Sequence, residues 1–109
     1  MILLIGGAYQ GKYAYAKEHY AKDHVIYNRY HEMVRQQLQA GEDPLEQARL
    51  LIEKEENQVI ISDEVGYGLV PMDAFEREYR EKVGRVNCFL AKEAERVIRI
   101  VCGMPLQIK

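Results

Sequence analysis

No stretch of this sequence approaches the ~20 consecutive apolar residues that a membrane-crossing helix requires, so a membrane partner is not expected. The opening run Met1-Ile2-Leu3-Leu4-Ile5-Gly6 is too short for the apolar region of a secretory signal and has no basic lead-in. A surplus of positive charge is missing as well: 15 Lys plus Arg stand against 17 Asp plus Glu, a formal net charge of −2. A general nucleic-acid binder is usually clearly basic, so no nucleic-acid partner is expected and any phosphate recognition must be local. Cysteine is scarce. Cys88 and Cys102 have no metal-type spacing, which reads as two reduced thiols buried as small apolar residues in a cytoplasmic protein. Internal repeats, low-complexity segments and linkers are also lacking.

What is present fits one domain over residues 1–109 with a modest core, since 48% of the residues are hydrophobic and 29% charged. Three apolar runs without alternation, Ile2–Ile5, His24–Tyr27 and Gln58–Ser62, read as buried parallel strands. Val97–Val101 alternates and reads as an edge strand, and Leu106–Lys109 as a short final one. Helical patterns lie between: 11–22, 30–39 ending at a left-handed cap on Gly41, and one from Asp43 to about Glu56. In this third helix Asp43 caps, Pro44 takes the first position and Glu46 completes a capping box. Leu45, Ala48, Leu51, Ile52 and Glu55 mark its inner side and edge. The longest helix spans 73–95, with Phe75, Tyr79, Val83, Val86, Leu90 and Ala94 on one face. Gly84 inside it costs about 1 kcal/mol against Ala, which a close packing contact would explain. Strands alternating with helices give an α/β fold with a small, mainly parallel sheet flanked by helices.

Gly6-Gly7-Ala8-Tyr9-Gln10-Gly11-Lys12-Tyr13 follows the first strand and opens the first helix, with the spacing G-x-x-x-x-G-K of a P-loop. Small residues are needed there because successive N–H groups must point into one concavity, to which the helix adds its positive end. Lys12 supplies a mobile charge for the outer phosphates of ATP or GTP and is the candidate catalytic residue. The next position usually carries the Ser or Thr hydroxyl that ligates Mg2+; here it is Tyr13, whose phenol oxygen lies too far from its backbone to replace that ligand. A plain glycine-rich turn is the competing reading. The strand Gln58–Ser62 ends in Asp63 and Glu64, candidate magnesium ligands, against the plainer reading of two solvated acids.

Asp63-Glu64-Val65-Gly66-Tyr67-Gly68-Leu69-Val70-Pro71 closely resembles the signature N-E-V-G-x-G-I-V-P of the bifunctional adenosylcobinamide kinase/adenosylcobinamide-phosphate guanylyltransferase family of cobalamin biosynthesis. Gly84-Arg85-Val86-Asn87-Cys88-Phe89-Leu90-Ala91 resembles its G-R-V-N-x-x-L-A, and Gly103–Lys109 its G-x-x-x-x-I-K ending. The family's loop, G-G-A-R-S-G-K-S, is similar to residues 6–13, with Tyr9, Gln10 and Tyr13 as departures. Val25–Leu38 is similar to the family's middle strand and following helix, with Asn28 where an acid commonly stands. The segment carrying the family's guanylylated histidine has no counterpart here, so that role does not pass to His31. His19, His24 and His31 read as surface or edge residues.

The resemblance implies a P-loop NTPase-like domain acting on a corrinoid small molecule, and the departures imply impaired or altered phosphoryl or nucleotidyl transfer. In an active enzyme Arg85 would help neutralise charge. The alternative is a nucleotide-binding or scaffold protein that keeps only the fold, and a weaker one is a P-loop carrier of an unrelated substrate. An exposed sheet edge offers a route to a homo-oligomer, as the resemblance also implies.

Overall fold

The computed structural model describes residues 1–65 and 73–109. In chain order the elements are β1 (Ile2–Gly6), α1 (Lys12–Tyr20), β2 (Val25–Tyr27), α2 (Tyr30–Gln39), α3 (Pro44–Lys54), β3 (Gln58–Asp63), α4 (Ala74–Glu93), β4 (Arg96–Val101) and β5 (Met104–Gln107). The five strands form one sheet in the order β2-β3-β1-β4-β5. All pairs are parallel except β4 with β5. The architecture is therefore the α/β one that the alternating pattern predicts, with β1 at the centre.

Strand alternation sends successive side chains to opposite faces, and each face of the sheet carries its own core. Leu3, Ile60 and Val97 pack with Tyr30 and Val34 of α2, Ala48 of α3 and Tyr79, Val83, Val86 and Leu90 of α4. Ile2, Leu4, Val59, Ile61, Ile98 and Ile100 pack on the other face with Ala16 and Tyr20 of α1. Burying one such large aliphatic side chain stabilises by about 1.5–3 kcal/mol, so both layers are held mainly by the middle strands.

The edges differ from the expectation. Val97–Val101 belongs to an internal strand, because β5 pairs beyond it, and β5 is exposed throughout. The run expected at His24–Tyr27 is the other edge; β2 has only three residues, and Val25 is exposed. Short edge strands offer little to pair with, which suits these positions.

The helix ends follow local chemistry. Asp43 accepts a hydrogen bond from the Leu45 N–H (3.1 Å), with Pro44 at the first helical position. Glu46 does not close the box; its carboxylate turns to Arg49. Glu55 lies past the helix end, extended and exposed. At the end of α2, Gly41 takes φ +76 and donates to Leu38 O, as a left-handed cap should. Asp73 caps α4 by accepting from the Glu76 N–H. Arg35 ties α2 to α4 through a two-pronged contact with Glu76, its guanidinium 4.1 Å from the Tyr79 ring centroid.

Gly84 has no close packing contact: among the described residues, an added Cβ meets nothing within 4 Å. Gly84→Ala is therefore expected to stabilise the protein by about 0.5–1 kcal/mol through helix propensity and a less flexible unfolded chain. A higher urea midpoint with an unchanged slope would show it; a lower midpoint would mean the glycine has a role that free space does not reveal.

Candidate functional site

The carboxyl ends of β1 and β3 lie side by side, Gly6 paired with Asp63. β1 has β3 on one flank and β4 on the other, and chain connections leave in both directions. In open α/β sheets this is where ligands bind.

Beyond β1 the chain makes the expected glycine loop. Gly6 has φ +155, and an added Cβ would sit 2.5 Å from the Ile100 carbonyl oxygen. Gly11 takes φ +89 and is the N-cap of α1 without any side-chain cap. The first N–H groups of α1 thus have no side-chain partner from the cap, and its first turn carries no acidic residue to oppose an anion. Tyr9, at the loop tip, is fully exposed with φ +58, a conformation costing about 1–3 kcal/mol for a non-glycine residue.

Lys12 is 6% exposed and folds back under the loop. Its ammonium donates to the carbonyls of Gly6 (3.3 Å) and Gly7 and to Asp63 Oδ1 (2.8 Å). An ammonium has three protons, and three acceptors surround this one.

Asp63 is held through its backbone N–H and C=O and through Oδ1. Its N–H donates to His31 Nδ1 (3.1 Å), its C=O accepts from Asn87 Nδ2 (3.3 Å), Oδ1 faces Lys12, and Oδ2 lies 3.4 Å from His31 Nε2. Three helices converge on one residue. His31, read from sequence as a surface residue, is buried at 4% exposure. Burial pushes its imidazole below the usual range, against the opposing pull of Asp63 and Glu32. A neutral ring that accepts at Nδ1 carries its proton on Nε2. His19 is exposed and His24 partly so, as expected for surface or edge positions.

Glu64 donates its N–H to Gly6 O (2.8 Å) and engages Arg99 of β4 through two hydrogen bonds of 2.9 and 3.0 Å. A magnesium ion finds a poor donor set here. Tyr13 is an exposed phenol on the first turn of α1, Asp63 Oδ1 is on the Lys12 ammonium, and both Glu64 oxygens are on a guanidinium. Among the described residues, no three His, Cys, Asp or Glu side chains cluster in a way that could hold a metal.

The loop is gripped from the far end of the chain. β4 and β5 join through a turn whose central residues, Cys102 (φ +51) and Gly103 (φ +75), are both left-handed, a type I′ geometry. Their N–H groups point at one residue: Cys102 donates to Gln10 Oε1 (2.7 Å) and Gly103 to Gln10 O (2.8 Å). Both cysteines are exposed, contrary to the expectation of buried thiols: Cys88 is on the outer side of α4 and Cys102 in this turn.

A pocket of about 270 Å³ opens between the loop and the start of α2, lined by Gln10, Lys12, Tyr13, Asn28, Arg29 and Asp63 among others. Gly6, Gly7, Ala8, Tyr9, Gln10, Gly11, Lys12 and Tyr13 are thus brought to one place with Asp63 and, at the rim, Asn28. Glu64 sits beside them on the β4 side. Arg85 is elsewhere, exposed and paired with Glu81 one turn away on α4. Gly66–Pro71 of the middle motif lies outside the described residues. Sequence reasoning missed Arg29, His31, Asn87 and the hairpin turn. The usable signals were Asn87's place in the G-R-V-N run and His31's position just past the end of β2, beside β3.

The chain matches the family model described as cobinamide kinase / cobinamide phosphate guanyltransferase, CobU, over residues 24–108. It is 41% identical over 51 residues to the bifunctional adenosylcobalamin biosynthesis protein CobU of Salmonella typhimurium, covering 47% of this chain and 28% of that protein. The figures for the protein of the same name from Escherichia coli are the same. For CobP of Pseudomonas aeruginosa they are 33% identity over 51 residues, 47% of this chain and 30% of that protein. The matched stretch thus spans under a third of these relatives. Among the described residues, no helix is long and apolar enough to cross a membrane.

Proposed function

The chain belongs to the cobinamide kinase / cobinamide phosphate guanyltransferase family, and from that premise we propose that it binds the phosphates of a nucleoside triphosphate, ATP or GTP, at residues 6–13. The supporting observation is the loop itself: a left-handed cap glycine opens α1 with no acid in its first turn, above an ammonium held inside the loop. Main-chain N–H groups and the helix end would hold the anion, and Lys12 would neutralise it. The pocket is small, near the lower limit for ligand sites. It suits the phosphates and leaves the nucleoside on the surface beside Tyr9 and Tyr13.

The chemistry that follows binding is impaired or altered transfer. With Tyr13 in place of a hydroxyl ligand and both carboxylates engaged, no step through magnesium is derived. An acceptor of the corrinoid class follows from family membership, and a fold that binds nucleotide without transfer is the second reading. Calorimetric titration with ATP and GTP, in EDTA and in magnesium, tests the proposal. Binding that is saturable in EDTA and little changed by magnesium is expected; no affinity under either condition would end it. Turnover with an adenosylcobinamide-type acceptor then separates the two readings.

A further inference from the structure

Arg29 stands where its residue type is disfavoured. It is the N-cap of α2, with φ +55 and ψ +50 in the left-handed region, and it makes no side-chain cap hydrogen bond. The usual N-cap is Ser, Thr, Asp or Asn in extended backbone. A side chain with a Cβ is unfavourable in left-handed backbone, and a cation at this end opposes the helix dipole. The needs of α2 do not account for an arginine here.

The pocket does. Arg29 lines it on the α2 side, and among the described residues its charged lining is Lys12, Arg29 and Asp63. Lys12 and Asp63 lie 2.8 Å apart and largely offset each other. The positive charge left over is that of Arg29. Its acid is Glu32, 3.7 Å away, with the two side chains 67% and 41% exposed. Glu32 also faces Arg35 at 3.9 Å. An exposed pair this loose contributes little and yields readily to a more highly charged anion.

We propose that Arg29 is a second phosphate-binding residue, which makes the pocket selective for a polyphosphate over a single phosphate. The loop N–H groups and the end of α1 hold one phosphate group. The planar fork of Arg29 holds oxygens of another, two at a time. With a poor donor set for magnesium, neutralising that further group falls to this guanidinium. No covalent bond changes; the Arg29–Glu32 contact gives way to an Arg29–phosphate one. The inference rests on the phosphate site proposed above and adds to it a preference for chain length.

Arg29→Asn tests it, because asparagine tolerates left-handed backbone and caps helices well. Affinities for inorganic tripolyphosphate and for orthophosphate are measured in EDTA, by calorimetry and by 31P NMR, with urea unfolding of every variant. Arg29→Asn is expected to weaken tripolyphosphate binding roughly tenfold, as loss of a charge-assisted contact should. Orthophosphate affinity should stay within about twofold, since the loop that holds it is untouched. The urea midpoint should rise. Stability gained with affinity lost is a pattern that a structural arginine would not give. Arg29→Lys keeps the charge without the fork and should lose about threefold.

Tripolyphosphate affinity unchanged in Arg29→Asn, equal losses for both anions, or a loss that comes with a lower urea midpoint would each overturn the role of Arg29. A Lys12→Ala control keeps the two claims apart. If that variant binds tripolyphosphate as the parent does, the phosphate site itself fails. If it loses binding while Arg29→Asn does not, the site stands and only the Arg29 inference falls.

Discussion

Lys12→Met should weaken triphosphate binding by at least about tenfold and, separately, lower stability. Methionine keeps most of the length and apolar stem of lysine, so the change removes little except the ammonium. In the folded protein that ammonium satisfies two loop carbonyls and one carboxylate. Hydrogen bonds to charged groups contribute about 1.5–3 kcal/mol each, so losing the direct contact to phosphate should weaken binding at least about tenfold, and more where two oxygens are held. Stability should fall by about 1–3 kcal/mol. That is below the penalty for splitting a fully buried pair, because Asp63 keeps 22% exposure. Adding Asp63→Asn to Lys12→Met should return part of the stability and none of the binding. Calorimetry and urea unfolding on the parent and these two variants read both effects. Unchanged triphosphate affinity in Lys12→Met would dispose of the site.

Gly6→Ala should be the most damaging alanine substitution among the described glycines. The added carbon would lie 2.5 Å from the carbonyl oxygen of Ile100. That atom belongs to the backbone of an internal strand and cannot swing aside. Overpacking of this kind typically costs 1–3 kcal/mol, and the positive φ of +155 adds backbone strain. A loss of about 2–5 kcal/mol is expected, a large part of the whole stability of a domain this size. Gly41→Ala is the proper comparison: φ there is +76, but nothing lies within 4 Å of an added Cβ. It should cost only about 1 kcal/mol. If the two variants unfold at the same denaturant concentration, the close approach of β1 to β4 is not what fixes glycine at position 6.

Much of this architecture is legible in the chain because its causes are local. Ile2–Ile5 and Gln58–Ser62 are apolar on both faces since the sheet is covered on both faces. Asp43, Pro44 and Gly41 mark helix ends through their own backbone and side-chain chemistry. The loop at 6–12 is visible because glycine spacing encodes backbone shape. What was not legible depends on partners distant in sequence. Whether Val97–Val101 is an edge depends on where β5 pairs, and the three-residue β2 has too few positions to display a pattern. His31 meets Asp63 across 32 positions and Gln10 meets Cys102 across 92; no window along the chain contains both members of either pair. Glu46 satisfies the spacing of a capping box, yet Arg49 on the same helix face offers its carboxylate a cation.

The grip of Cys102 and Gly103 on Gln10 has a consequence for biosynthesis. A ribosome delivers β1 well before its neighbour β4 and the hairpin that clamps residue 10. Until then the apolar strand Ile2–Ile5 lacks one of its two flanking strands, and the loop lacks its clamp. Contacts of such long sequence separation form slowly, so a nascent chain stalled before residue 96 should present this segment to chaperones and hold no finished phosphate cradle. The glycine loop can finish its cradle only after β4 and its hairpin have emerged.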